Sequence, residues 1–345
     1  MEPGLERYSR QILFSGVGEA GQKKLLASRI VVIGCGALGT VQANALVRSG
    51  IGDVVIVDRD YVEENNLQRQ ILFDEEDVRQ KLPKAVAAER KLKLINSKVR
   101  VTSIVADVNH KNIESLVGPA DLVMDGVDNF ETRLLLNDVC VKNNKPWIYG
   151  ACIGSYGITM PVIPGKTPCV RCVFETAPPP GLTPTCDTAG ILSSTVNLVA
   201  SLQVAEAMKI LMGQEDKLHR DLVAFDLWAN MFKTLHVSKG PKPDCLCCGQ
   251  RNFEYLDAKD EQATFATSLC GRNAVQVNRG ESMRVEFDSL AQRLEGVAEV
   301  SHNDFILTFK VDGFEVSVFT DGRAIIKGSN DPAVARSVYS KYIGS

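Results

Sequence analysis

The segment Ile30-Val-Val-Ile-Gly34-Cys-Gly36-Ala-Leu-Gly39 constrains the fold of this chain more than any other. A run of branched apolar residues breaks off at a glycine, and G-x-G-x-x-G spacing opens a helical pattern that closes at Gly50. A strand that feeds a helix through such a turn is the start of a β-α-β unit, and it points backbone N–H groups and the helix dipole at a phosphate. The alternation continues. Further strands are predicted at 54–57, 99–105, 122–124 and 147–149, and helices at 37–49, 84–95, 110–117 and 130–142. This order implies an α/β fold, a doubly wound, mostly parallel Rossmann-like sheet. The Gly-rich stretch 153–163 reads as antiparallel additions to that sheet. A long helix from about Ile191 then leads to strands near 222–225 and 232–237.

A chain of 345 residues is long enough for about two domains. The first spans 1–250, and polar residues after Gly249 read as a linker. The second, 264–345, alternates strands (274–277, 304–311, 315–320, 324–327) with helices near 288–294 and 332–342, a small α+β domain. With 39 Lys+Arg against 42 Asp+Glu there is no overall field to recruit nucleic acid or an anionic membrane. The apolar stretch 190–213 is interrupted by Asn197, Gln203, Glu206 and Lys209, so it reads as a buried helix rather than a membrane span. The first residues lack a secretory pattern, and a cytoplasmic protein is expected.

Asp58, at the end of the second strand, stands where an acid accepts ribose hydroxyls. The glycine pattern alone favours NAD, but the next residues point elsewhere. Glu64-Asn-Asn66-Leu-Gln-Arg69-Gln70 and Pro83-Lys84, together with Arg10, offer more cations than a dinucleotide uses and suit a triphosphate whose pyrophosphate must leave. Asp128, in Asp125-Gly-Val-Asp128-Asn129, can hold Mg²⁺ on those phosphates or cap the following helix.

The ten cysteines are too sparse for a disulfide scaffold. Cys169-Val-Arg-Cys172 and Cys245-Leu-Cys-Cys248 instead supply four thiolates for a structural Zn²⁺, with Cys247 a rival for the fourth position. The Pro-rich stretch 166–185 reads as a functional loop that cannot be helical. Cys186 at its end is either a covalent nucleophile or a buried structural thiol. The four histidines fall outside every motif.

Arg7-Tyr-Ser-Arg10-Gln-Ile, Gly34-Cys-Gly-Ala-Leu-Gly39, Asn66-Leu-Gln-Arg69-Gln, Asp125-Gly-Val-Asp128-Asn129, the paired C-x-x-C motifs and Cys186-Asp-Thr-Ala-Gly190 together resemble the ThiF/MoeB/HesA family, bacterial relatives of ubiquitin-activating enzymes. The resemblance covers about 6–249. It implies binding of Mg-ATP, adenylylation of the C-terminal glycine carboxylate of a ubiquitin-like sulfur-carrier protein ending in Gly-Gly, and release of pyrophosphate. It further implies that the glycine loop and Asp58 hold ATP, that Asn66, Arg69 and Lys84 bind its phosphates, and that Asp128 binds Mg²⁺. Arg10 would reach the partner subunit's nucleotide across a homodimer. Cys186 matches a cysteine that some relatives link covalently to the carrier, and a sulfurtransferase or cysteine desulfurase is an expected further partner.

Two departures stand out. Gln80-Lys81-Leu82-Pro83-Lys84 replaces the Gly-Gln-Pro-Lys of many relatives, and the C-terminal domain is not the rhodanese domain fused to some of them. The expected reaction is in-line attack of the carrier carboxylate on the α-phosphorus of ATP. A carboxylate with a pKa of about 3.3 to 3.7 is already ionised, so no general base is needed. An NAD-dependent oxidoreductase shares the glycine pattern but would need a positioned proton donor that no motif supplies. A catalytically inert carrier-binding partner would be expected to lack Arg10, Arg69, Lys84 or Asp128, all of which are present.

Overall fold

The computed structural model describes residues 4–176, 189–237, 240–258, 266–269, 273–278 and 285–343. The chain forms two compact units, Met1–Asp77 with Lys84–Asp257, and Val78–Pro83 with Ala258–Ser345.

The first unit is built on an eight-stranded sheet. Its strands are β1 (Arg29–Ile33), β2 (Asp53–Asp58), β3 (Arg100–Val105), β4 (Leu122–Asp125), β5 (Trp147–Ile153), β6 (Tyr156–Val162), β7 (Leu222–Asp226) and β8 (Met231–Leu235). They lie in the order β3-β2-β1-β4-β5-β6-β7-β8. The first five run parallel, with Ile30 opposite Val54 on one side and Leu122 on the other; β6, β7 and β8 continue antiparallel. This is the expected doubly wound sheet with its antiparallel additions.

Both faces are covered, which is why β1, β2 and β4 are near-continuous apolar runs. On one face Val31, Ile33, Val55, Val57 and Val123 pack with the helices Ile113–Val117 and Phe130–Lys142. On the other lie the helices Ala37–Ser49 and Ser193–Met212, sharing Leu38, Val41, Val196 and Val199. Ser193–Met212 is long and apolar enough to cross a membrane by composition alone. Its Val196, Val199, Ala200 and Gln203 are instead fully buried, as the interruptions in the sequence imply.

One expectation is overturned. Within the Pro-rich stretch, Val170–Val173 forms a helical turn. Pro168 precedes it, where proline is tolerated, and the turn brings the first two cysteines of the C-x-x-C pair together.

The second unit carries a six-stranded antiparallel sheet of β9 (Ala266–Leu269), β10 (Ala274–Val277), β11 (Val300–His302), β12 (Ile306–Val311), β13 (Phe314–Phe319) and β14 (Ala324–Lys327). Their order is β11-β12-β13-β14-β10-β9. Asp312 and Gly313, both at positive φ, form the tight turn between β12 and β13. The helices Phe287–Leu294 and Pro332–Tyr342 cover one face, closing a core of Val275, Val316, Val318, Ile326, Leu290 and Val338. Strands β9 and β11 were not anticipated. They are short edge strands, and β9 lies at the very start of the second domain, ahead of the first strand expected there.

Candidate active site

The expected nucleotide residues gather where β1, β2 and β4 end, the edge at which doubly wound sheets bind ligands. The glycines there divide into two kinds. A Cβ on Gly39 would lie 1.9 Å from the Gly34 carbonyl oxygen, and one on Gly34, at φ +89°, would lie 2.5 Å from that of Gly126. These glycines let the helix start and two strand ends touch backbone to backbone. Gly36 differs, because a Cβ there would meet only Gln70 Nε2, at 4.0 Å. Its glycine keeps open a space that a ligand can approach.

Asp58 holds this loop. One carboxylate oxygen accepts from the Cys35 N–H at 2.6 Å, the other from the Asp60 N–H at 2.7 Å. Burial pushes its pKa up, against the pull of Lys84. Each oxygen retains a second lone pair for a ribose hydroxyl.

Lys84 opens the helix Lys84–Ile95 and is buried, with its ammonium 3.1 Å from Asp60 and its N–H donating to the Asp60 carbonyl. Beside it Arg59 pairs with Asp107 at 2.9 Å. Burial alone would lower the Arg59 pKa, but Asp107, Asp60 and Asp128 together raise it. Arg59 is therefore a second cation in this group, and one the sequence reading missed. It directly follows Asp58, the expected ribose acid, which was the available signal.

The segment after β2 forms a turn, Glu64–Asn66. Asn66 is buried in it as a brace, accepting from the Glu63 N–H at 3.1 Å and donating to Asn65 Oδ1 at 2.7 Å. Arg69 is half-buried and donates to the Asn65 carbonyl at 2.7 Å. Gln70 was not singled out, yet it is buried with Oε1 unpartnered while Nε2 lies nearest the open side of Gly36. An orphaned buried acceptor beside that gap fits a ligand donor group.

Asp128 is exposed at the end of the β4 turn. Of the two readings left open, capping falls to its neighbour: Asn129 is the N-cap and accepts from the Thr132 N–H at 2.8 Å. The turn itself is held by Arg133, whose Nε lies 2.9 Å from the fully buried Asp125 and whose Nη2 donates to the Val127 carbonyl at 2.8 Å. Arg10, on the short helix Ser9–Ile12, is exposed and makes no hydrogen bond or ion pair among the described residues. Cys186 lies outside the described residues.

In the core that packs under the helices Ile113–Val117 and Phe130–Lys142, the sulfurs of Cys169, Cys172, Cys245 and Cys248 all lie within 4.8 Å of one another. Neighbouring pairs are 3.9, 3.6 and 3.3 Å apart. A tetrahedral Zn²⁺ with Zn–S of 2.3 Å needs about 3.8 Å between sulfurs, so the donor set fits. Cys247 is fully buried and is not one of these four: its sulfur accepts from Asn137 Nδ2 at 3.1 Å and also hydrogen-bonds Cys169. Hydrogen bonding within the cluster drives the Cys169 thiol far below the ordinary range and pushes Cys172 up to about 12.

The chain matches the ThiF family over residues 8–247. It is 47% identical over 339 residues to the sulfur carrier protein ThiS adenylyltransferase of Bacillus subtilis, covering 98% of this chain and 99% of that one. Identity to the SAMP-activating enzyme E1 of Haloferax volcanii is 38% over 77% of this chain and 96% of that protein. Among solved structures, E. coli MccB with ATP superposes with a TM-score of 0.63 at 25% identity, over 71% of this chain and 75% of that one. With the family model matched over most of its length and a relative 47% identical along nearly the whole chain, the chain belongs to the ThiF family.

Proposed function

We propose that this protein is an adenylyltransferase that uses ATP to activate the C-terminal glycine carboxylate of a ubiquitin-like sulfur-carrier protein, releasing pyrophosphate for sulfur incorporation in thiamin thiazole or molybdopterin synthesis. The observation that carries the reading is the buried Lys84 ammonium beside Asp60, at the sheet edge that also holds the open Gly36 loop, Asp58 and Asp128. A ThiS-like carrier is favoured, because likeness to the Bacillus subtilis relative runs through the C-terminal unit as well.

The loop at Gly36 receives a phosphate on backbone N–H groups, and Asp58 holds the ribose. Arg69 and Lys84 neutralise the departing pyrophosphate, with Asn66 bracing the turn that carries Arg69. Asp128 is the residue to hold Mg²⁺, which when bound adds charge neutralisation on the phosphates. The attacking carboxylate arrives ionised, so catalysis consists of placement and electrostatic stabilisation. Arg10 would complete the site of a second copy, and Leu13 and Phe14 just beyond it, 74% and 67% exposed, supply apolar surface for that interface. Light scattering of the purified protein is expected to return the mass of two chains. ATP consumption agrees with the expected cytoplasmic setting, and a sulfurtransferase or cysteine desulfurase would deliver sulfur to the activated carrier.

The test is Mg-dependent ATP–pyrophosphate exchange with purified Gly-Gly carriers. Exchange is expected only with a carrier present, and Asp128→Ala should slow it at least about 100-fold. Lys84→Ala should raise the barrier by about 2 to 4 kcal/mol. Exchange that persists in Asp128→Ala would remove that residue from the reaction.

Zn²⁺ in the Cys169, Cys172, Cys245 and Cys248 set would be structural, joining Val170–Val173 to the 245–248 turn. All four positions are protein ligands, so it would contribute folding energy and no open coordination site. Metal analysis is expected to find one zinc per chain, lost in Cys172→Ser together with a lowered melting temperature. A zinc-free wild-type protein of full stability would rule the site out.

A further inference from the structure

The helix Phe130–Lys142 sends two adjacent, buried side chains, Asn137 and Asp138, to the cysteine cluster. The Asn137 amide is used at both ends. Its Oδ1 accepts from the Val170 N–H at 2.9 Å, and its Nδ2 donates to Cys247 Sγ at 3.1 Å. Val170 lies between Cys169 and Cys172, and Cys247 between Cys245 and Cys248, so a single side chain joins the two C-x-x-C pairs. Asp138 secures the chain beyond the second pair, its Oδ2 accepting from the Tyr255 N–H at 2.9 Å. The second pair is itself closed by the Gly249 and Gln250 N–H groups, which donate to the Cys245 carbonyl at 3.0 and 2.9 Å.

Cys247 links this helix to the cluster. It receives the Asn137 amide and hydrogen-bonds both Asp138 and Cys169. The four sulfurs that converge within 4.8 Å are those of Cys169, Cys172, Cys245 and Cys248, so Cys247 stands beside the ligand set and touches one member of it. A hydrogen bond to a metal-bound thiolate draws charge from the sulfur and fixes its direction. Removing an outer partner of this kind typically weakens metal binding by about 10- to 100-fold.

We propose that Asn137 and Cys247 are positioning residues of the zinc site, Asn137 holding the two cysteine pairs in register and Cys247 steering Cys169 from outside the ligand set. The inference rests on the zinc reading of the four cysteines. Asn137 bonds to a backbone N–H and to a sulfur that is not a ligand, so the protein itself brings the pairs together and metal binding has less ordering left to do.

The test is the zinc affinity of the full chain, read by competition with a chromophoric chelator, together with the spectrum of the cobalt-substituted protein, whose charge-transfer intensity counts bound thiolates. Neither needs nucleotide or carrier. Cys247→Ala and Asn137→Leu are expected to bind one ion through the same four thiolates, with a Kd raised about 10- to 100-fold. Cys247→Ser keeps a hydrogen-bonding group of similar size and should bind like wild type. Cys247→Ala against Cys247→Ser decides the matter even where Asn137→Leu does not fold. A cobalt spectrum that loses a thiolate in either Cys247 variant would make Cys247 a ligand and overturn the proposal, as would an unchanged zinc Kd in Cys247→Ala. A wild-type protein that takes up neither zinc nor cobalt would instead overturn the zinc reading itself, and this proposal with it.

Discussion

Replacing Gly39 by alanine is expected to destroy the folded nucleotide edge, whereas the same change at Gly36 should leave the protein folded. The new Cβ at 39 would sit 1.9 Å from the Gly34 carbonyl oxygen, a backbone atom that cannot turn aside. Relief requires moving the helix Ala37–Ser49 off the sheet, where Leu46 and Val47 are fully buried. The expected loss exceeds about 4 kcal/mol, the range reached only by severe core changes. At Gly36 the Cβ meets nothing closer than Gln70 Nε2 at 4.0 Å, so the melting temperature should hold. Mg-ATP affinity should nevertheless fall, since the methyl enters the space left for the ligand. A Gly39→Ala protein with wild-type melting temperature and nucleotide affinity would show that the close approach is absent in solution.

The second large effect concerns the ion pair beneath Asp128. Arg133→Met should destabilise the first unit by about 3 to 5 kcal/mol, because it leaves the Asp125 carboxylate buried without its partner. Burial already pushes the Asp125 pKa up, and Arg133 is the main influence holding it down. The same guanidinium spans the Val127 and Gly150 carbonyls at 2.8 and 3.2 Å and lies against the Tyr149 ring at 5.3 Å, so the methionine also loosens the turn that presents Asp128. Urea unfolding monitored by circular dichroism measures the loss as a lower midpoint at unchanged slope. The double change Asp125→Asn with Arg133→Met should recover part of it, since no charge is then left buried. A single Arg133→Met change that cost less than about 1 kcal/mol would place the pair among those that contribute nothing net.

Neither effect is visible in the residues alone, although much of their setting is. The helices Ala37–Ser49, Lys84–Ile95, Phe130–Lys142 and Pro332–Tyr342 have the bounds expected from Gly50 as a left-handed stop, Asn129 as a cap and Pro332 at a first helical position. These signals are local, and local chemistry determines them. The turn Val170–Val173 was missed because proline content was read as excluding helix throughout, when only the position of each proline matters.

The sequence by itself determined the α/β order, the glycine loop, the pairing of cysteine motifs and the types of residue available for nucleotide chemistry. Periodicity, turn residues and motif spacing are properties of neighbouring positions and survive without a fold. Only the tertiary structure decided that Gly34 and Gly39 serve close packing while Gly36 stays open, and that the sulfurs of Cys169, Cys172, Cys245 and Cys248 come within 4.8 Å of one another. It also brought Arg59 and Gln70 to the site. Each of these depends on which distant atoms come within a few ångströms, and that is settled by packing of the sheet, which no local pattern records.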